Sequence, residues 1–336
     1  ISRGTSCRRA RADAQRCATL TMGLGVFVIR RLLFSLLVLL IVSVVVFVVV
    51  QVLPGDVASM ILGTDATPED VATMREKLGL NRPAHIRYIE WISGAVRGDW
   101  GTSLRLNQPV APLIATRMVN SAVLAAATLL IAVPLAIALG VYAGLRRGRL
   151  ADRVIALVTL VGTSLPEFVW GSLLIIIFSF WLRWLPPSSL MDPGDPLFTH
   201  VKLLILPVLT LTLVMLAYTS RMTRTSMIDV LERNFVRTAR LKGIGERQVI
   251  LHHALPNALL PTITIVAMNI GWLMGSLVVV ETVFSYPGLG RMMVFAVSNR
   301  DVPMLQMTVL VTAGVYCLAN LLADVLYAYL NPRVRY

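Results

Sequence analysis

Residues 32–55 read LLFSLLVLLIVSVVVFVVVQVLPG, 24 consecutive positions without Asp, Glu, Lys or Arg. A hydrocarbon core of about 30 Å is crossed by about 20 apolar residues in helix. Lipid offers no water to satisfy bare peptide groups, so the stretch is predicted to be a helix with all its backbone bonds internal. The first span is placed at about 32–53, and further charge-poor runs lie at 119–145, 154–182, 201–219, 262–283 and 304–329. Together they predict an all-α integral membrane protein of about six spans.

The composition agrees. Of 336 residues, 56% are apolar and 15% charged, against about 25% charged in soluble proteins. The net charge is +13, and its placement gives it a meaning. Six spans put both ends of the chain on one side. Twenty of the 31 Lys and Arg fall in the N-terminal segment through Arg31, the 146–153 loop, the 220–261 loop and the C-terminus. Seven of the other eleven share one long loop, 54–118, with seven acids. Positive charge marks the cytoplasmic side, so both termini are predicted there, and no nucleic acid is needed to explain the basic balance.

Residues 1–21 are rich in Arg, Ala and Ser, without apolar periodicity. They read as a disordered tail or as a segment ahead of a start at Met22, and 22–336 as the transmembrane domain. Cys7, Cys17 and Cys317 have no metal-ligand spacing and no look of a disulfide framework.

The 54–118 loop is predicted to face outside and to carry short helices. Thr67-Pro68-Glu69-Asp70 reads as N-cap, first-turn proline and acidic first turn, with Asp where a capping box prefers Glu. Val71, Met74 and Leu78 recur on one face, and Gly79 offers a stop. A second helix starting at Pro83 would carry Tyr88, Trp91 and Ile92. The loop thus reads as a helical cap over the bundle.

The 220–261 loop is too short for a catalytic domain. Asn234 suits an N-cap for a helix over Phe235–Lys242, with Gly243 and Gly245 as its stop. A second helix is predicted from Glu246 toward Pro261. Pattern alone leaves two readings: a rigid element passing force from a soluble partner, or an amphipathic segment lying on the lipid surface.

Here the sequence resembles the permeases of binding-protein-dependent ABC importers. Ala239, Gly243 and Leu255-Pro256 stand at the spacing of the EAA loop of that family, with Arg237 and Thr238 departing from its first two positions. Arg237-Thr-Ala-Arg-Leu-Lys-Gly is similar to the variant of the dipeptide, oligopeptide and nickel permeases. Five further motifs fall in the same order as in that subfamily: Arg30-Arg31-Leu32, Pro54-Gly55-Asp56, Arg97-Gly98-Asp99-Trp100-Gly101 with Ser103, Phe284-Ser285-Tyr286-Pro287-Gly288-Leu289-Gly290-Arg291, and Asp324…Tyr327…Asn331-Pro332-Arg333.

The resemblance implies half of a translocation pore in a bacterial or archaeal inner membrane, paired with a homologous second permease as a heterodimer. It implies two cytoplasmic ATPase subunits, which bind the ATP and Mg, and an extracytoplasmic substrate-binding protein. Docking on the ATPase would fall to Phe235, Ala239 and Leu241 as apolar contacts, with Arg237, Arg240 and Lys242 as basic ones. Thr238, Gly243, Leu255 and Pro256 complete the coupling set. No cofactor is implied for this chain. Dipeptide, longer peptide, nickel chelate and other cargoes all remain open.

Glu167 follows Pro166 inside the third run, where an ionisable group is costly and faces a cavity or a partner. It reads either as a lining of the solute path or as a hydrogen-bonding group across the bundle. Pro134 and Pro207 interrupt other runs without a special role. Asp324 and Glu281 lie near span ends, where snorkelling is easy and structural roles are favoured. His252 and His253 are adjacent, about 100° apart on a helix, so they do not chelate one metal. The sequence holds no G-x-x-x-x-G-K-[ST], no G-x-S-x-G and no H-E-x-x-H, so no catalytic residue is assigned. The competing class, an ion-coupled secondary transporter, would bring more intramembrane acids and matched broken helices.

Overall fold

The computed structural model describes residues 3–52, 67–77, 81–190 and 201–330. Pro54-Gly55-Asp56, Leu78, Gly79 and Asn331-Pro332-Arg333 lie outside these, as do the side chains of Cys7, Cys17 and Tyr327. The described chain is helical, with a single isolated bridge between Thr102 and Pro109. Five helices are long and apolar enough to cross a membrane, or six when one bent pair counts as a span.

The first span belongs to α1, which runs over Arg3–Val52. Then follow α2 (Pro68–Lys77), α3 (Ala84–Arg97) and α4 (Val110–Leu145). Next come α5 (Leu150–Ser164), α6 (Glu167–Trp181) and α7 (Val201–Leu231). The chain ends with α8 (Asn234–Leu241), α9 (Glu246–Val283), α10 (Leu289–Ser298) and α11 (Val302–Leu330).

The third predicted span is not one straight helix. It breaks between α5 and α6, which meet at 107°. Pro166 disfavours helical backbone at the residue before it, and Leu165 is extended (φ −114, ψ 140). Glu167 therefore opens a second helix instead of sitting in the middle of one. Trp170 Nε1 donates to the Gly162 carbonyl at 3.1 Å and ties the two halves together.

The expected 220–261 loop is mostly helix. At about 1.5 Å per residue, the 31 residues of α7 outrun the lipid core, and its last turns carry Arg221, Arg224 and Asp229 beyond it. The segment from Glu246 is continuous with the fifth span in α9. Within α9 the turn Val249–Ala254 widens to π geometry. Pro256 has no N–H for the carbonyl of His252, and a wider turn relieves the clash its ring would cause.

The core centres on α7, whose largest interface is with α4. Ala132, Ala136, Gly140 and Gly144 form a buried stripe at four-residue spacing on α4. A β-carbon on Gly140 would lie 2.6 Å from the Ser220 carbonyl, and one on Gly144 would lie 2.9 Å from Met227 Cβ. Helices in lipid associate by close van der Waals packing, which such small residues permit.

The cap docks on the first span. Phe47 of α1 packs between Tyr88 and Trp91 of α3, with ring centroids 5.3 and 6.1 Å away. Ser43 and Tyr88 hydroxyls are 2.8 Å apart. The capping box forms with Asp: Asp70 N donates to Thr67 Oγ1 and Thr67 N donates to Asp70 Oδ2, both at 3.2 Å.

Candidate coupling surface

The candidate site lies at the end of the bundle where α7 gives way to α8. The chain turns at Arg233, which is extended (φ −74, ψ 149). Asn234 is thus the first helical residue and not the cap, and no side chain caps α8. The helix ends on Gly243 at φ +75, a left-handed position with open space around it. There Gly243 N donates to the Arg240 carbonyl and Ile244 N to the Ala239 carbonyl. A glycine adopts that conformation without the cost a β-carbon brings.

One face of α8 is committed inward. Val236 and Ala239 are buried and pack with Met227 and Val230 of α7 and with Val249, Ala254 and Ala258 of α9. Ala239 was expected to touch a partner, yet it seats α8 on its own bundle. Arg240 is also engaged internally: its guanidinium makes two hydrogen bonds to Glu246, at 2.6 and 3.0 Å, bridging the two ends of the turn. Glu246 holds Arg240 further toward its charged form.

The outward face carries the rest of the predicted set. Phe235 is 41% exposed and Leu241 79% exposed, with Arg237, Thr238 and Lys242 beside them. Leu255 is half-buried and Pro256 exposed. Two protruding apolar side chains among cations make a surface suited to an apolar groove with acidic margins.

Ion pairs that the sequence reading missed brace this end. Arg224 of α7 donates to Asp152 of α5 through Nε and Nη2, at 2.5 and 2.8 Å, and Gly148 N donates to the same carboxylate at 2.9 Å. Arg147 pairs with Glu232 at 2.5 Å. Arg31 pairs with Asp324 at 3.0 Å, joining the bases of α1 and α11. Asp152 and Arg224 lie 72 positions apart, and Arg147 and Glu232 lie 85 apart, so no local spacing signals these contacts.

At the opposite end, Glu281 is fully buried and does not snorkel. It accepts hydrogen bonds from the Ser121 hydroxyl and from the amides of Gly290 (2.7 Å) and Arg291 (3.3 Å). Asp301, missed in the sequence, does the same for the loop ahead of α4: the Ser103 hydroxyl and the amides of Arg105 and Met304 converge on it. Glu167 accepts from the Ser276 hydroxyl of α9 at 3.0 Å, a contact across the bundle. Among the described residues no cluster of His, Cys, Asp or Glu could hold a metal ion.

Comparison with known proteins matches two adjoining families. The binding-protein-dependent transport system inner membrane component covers residues 136–336, and the corresponding N-terminal membrane component covers 24–140. The probable peptide ABC transporter permease protein y4tP of Sinorhizobium fredii is 38% identical over 93% of this chain and 100% of its own length. The glutathione transport system permease protein GsiC of Escherichia coli is 41% identical over 92% of this chain and 99% of its own. A crystal structure of an amino acid ABC transporter is similar over 66% of this chain and 94% of its own, at 15% identity and a TM-score of 0.47.

Proposed function

This chain belongs to the binding-protein-dependent transport system inner membrane components, and on that premise we propose how it works as a permease subunit. It forms half of the pore of an importer for peptides or similarly sized amide-bearing solutes. It pairs with a homologous second permease, is driven by two ATPases at the arginine-rich end, and receives solute from a binding protein at the other. Both termini lie in the cytoplasm. ATP and Mg bind to the partner ATPases.

One observation carries the coupling role. The inward face of α8 is fastened to α7 and α9 by Val236 and Ala239, while Phe235 and Leu241 stand out with Arg237, Thr238 and Lys242. A push on this short helix therefore moves the ends of two membrane helices as one body. Gly243 sets the turn, Arg240 holds it through Glu246, and Leu255-Pro256 with the π turn give α9 its bend at the membrane surface. The relatives named for peptides and for glutathione support a peptide-like cargo. On this reading Pro166 and Glu167, at the break in the third span, border the solute path.

The test is reconstitution in liposomes with the second permease, both ATPases and the binding protein. ATP-driven uptake of labelled peptide is expected, and Leu241→Asp should abolish it while the chain still inserts. Uptake by that variant at the parent rate would remove α8 from the mechanism.

A further inference from the structure

Between the last turns of α7 and the first turns of α9 lies a groove of about 670 Å³. That volume is in the range of small-molecule sites, roughly 300–1,000 Å³. Its lining is mixed, and its charges are unspent. Asp229 and Arg233 are four positions apart and exposed, and neither has an ion-pair partner among the described residues. Asn257 lines the same groove. Its side-chain amide donates to the His253 carbonyl at 2.8 Å, which leaves its own oxygen as an acceptor. Pro261 has no N–H, so the Asn257 backbone carbonyl also lacks its usual helical donor. One acid, one base and an amide side chain around one space match a small zwitterion bearing a peptide bond. The charged ends of a dipeptide lie about two residue lengths apart, roughly 7 Å.

Phe235 forms another wall. The groove is therefore bounded by α7, α9 and Phe235 of α8, and Phe235 also belongs to the outward face proposed to meet the ATPase. A ligand held against Phe235 that binds one arrangement of this contact better than another favours that arrangement, and the coupling acts in both directions.

We propose that this groove is a product site on the release side of the pore: it binds a short peptide with free ends, ammonium at Asp229 and carboxylate at Arg233, and its occupancy slows ATP hydrolysis by the assembled transporter. The proposal rests on the permease reading above.

The experiment uses the complete transporter in liposomes with Ala-Ala supplied on the ATPase side, and reads ATP hydrolysis with and without it. Ala-Ala should lower hydrolysis several-fold. N-acetyl-Ala-Ala-amide, which lacks both charges, should not. Asp229→Asn and Arg233→Gln should each raise the half-inhibiting concentration roughly tenfold, the loss of one charge-assisted contact. The proposal is overturned if Ala-Ala has no effect while uptake proceeds, or if both variants are inhibited like the parent. It is also overturned if Thr225→Cys cross-links to the second permease, because the groove is then filled by that subunit. Failure of all ATP-driven uptake would instead overturn the permease reading.

Discussion

A side chain on Gly288 would occupy the place of the Glu281 carboxylate: a β-carbon there would lie 2.1 Å from Oε1. Four further contacts close the loop around this acid. Leu289 N donates to Ser121 Oγ, Tyr286 OH to the Asn120 carbonyl and Asn120 Nδ2 to the Pro287 carbonyl, each at 2.8 Å, and Arg291 reaches the Ser285 carbonyl at 2.6 Å. Gly288→Ala is expected to cost about 3 kcal/mol or more, since it overpacks the site and displaces a buried acceptor. Glu281→Ala strands two amides and a hydroxyl and should cost as much. Thermal melting in detergent checks both, and an unchanged melting point for Gly288→Ala would contradict the packing described.

The Arg224–Asp152 pair joins α5 to α7. The Asp152 side chain is 5% exposed and that of Arg224 30%. Removing one member of a fully buried pair costs about 3–5 kcal/mol, and the partial exposure of Arg224 lowers the expected loss for Asp152→Asn to about 2 kcal/mol. The exchange Asp152→Arg with Arg224→Asp should recover part of it. A double-mutant cycle with a coupling energy near zero would show the pair to be incidental.

Two substitutions in one short helix should fail in different ways. Ala239→Asp buries a charge against Val249 and Ala254 and is expected to lower the yield of folded protein. Leu241→Asp alters only an outward side chain, so yield and melting should hold while ATPase association is lost. Yield by size-exclusion chromatography and ATPase capture separate the two. Equal folding defects would mean that Leu241 is not free on the surface.

Asp70 carries a pH-dependent helix start. Hydrogen bonds from the Thr67 side chain and amide lower its pKa below the ordinary carboxylate value. The sign follows from linkage: the folded pKa lies below the unfolded one, so the stabilisation is present above the unfolded value of about 3.9. It is lost as pH falls through the folded value. Asp70→Ala should speed amide exchange in the first turn of α2 several-fold at neutral pH. The difference from the parent should fade once the medium is acid enough to protonate Asp70. A difference that persisted there would assign the effect to something other than the carboxylate.

Much of the fold is legible along the chain because lipid imposes a one-dimensional rule. The runs at 32–53, 119–145 and 304–329 need length and apolarity only, and the described residues of each lie in a helix of the structure. Thr67-Pro68 and Gly243 are legible for a similar reason, since cap chemistry and a left-handed turn depend on a few neighbouring residues. The errors arise where sequence distance hides spatial distance. Hydropathy ran the third span straight through Pro166. It also ended α7 at the membrane, although a helix continues through charged residues when partners such as Asp152 receive them. At the candidate site the sequence does not give the sides: Ala239 is buried and Arg240 is tied to Glu246, whereas Phe235 and Leu241 are exposed and unpaired.

The sequence by itself determined that this chain crosses a membrane several times, which end is basic, and where a short helix and its glycine turn interrupt the last two-thirds of the chain. These are properties of local composition set against a solvent that tolerates no unpaired backbone. Only the tertiary structure decided that Glu281 and Asp301 are buried clasps, that Asp152 receives Arg224, and which face of α8 remains for a partner. Each depends on contacts between separate helices, such as Ser121 with Glu281, Ser103 with Asp301 or Val236 with Val249, and such a meeting leaves no period in the sequence.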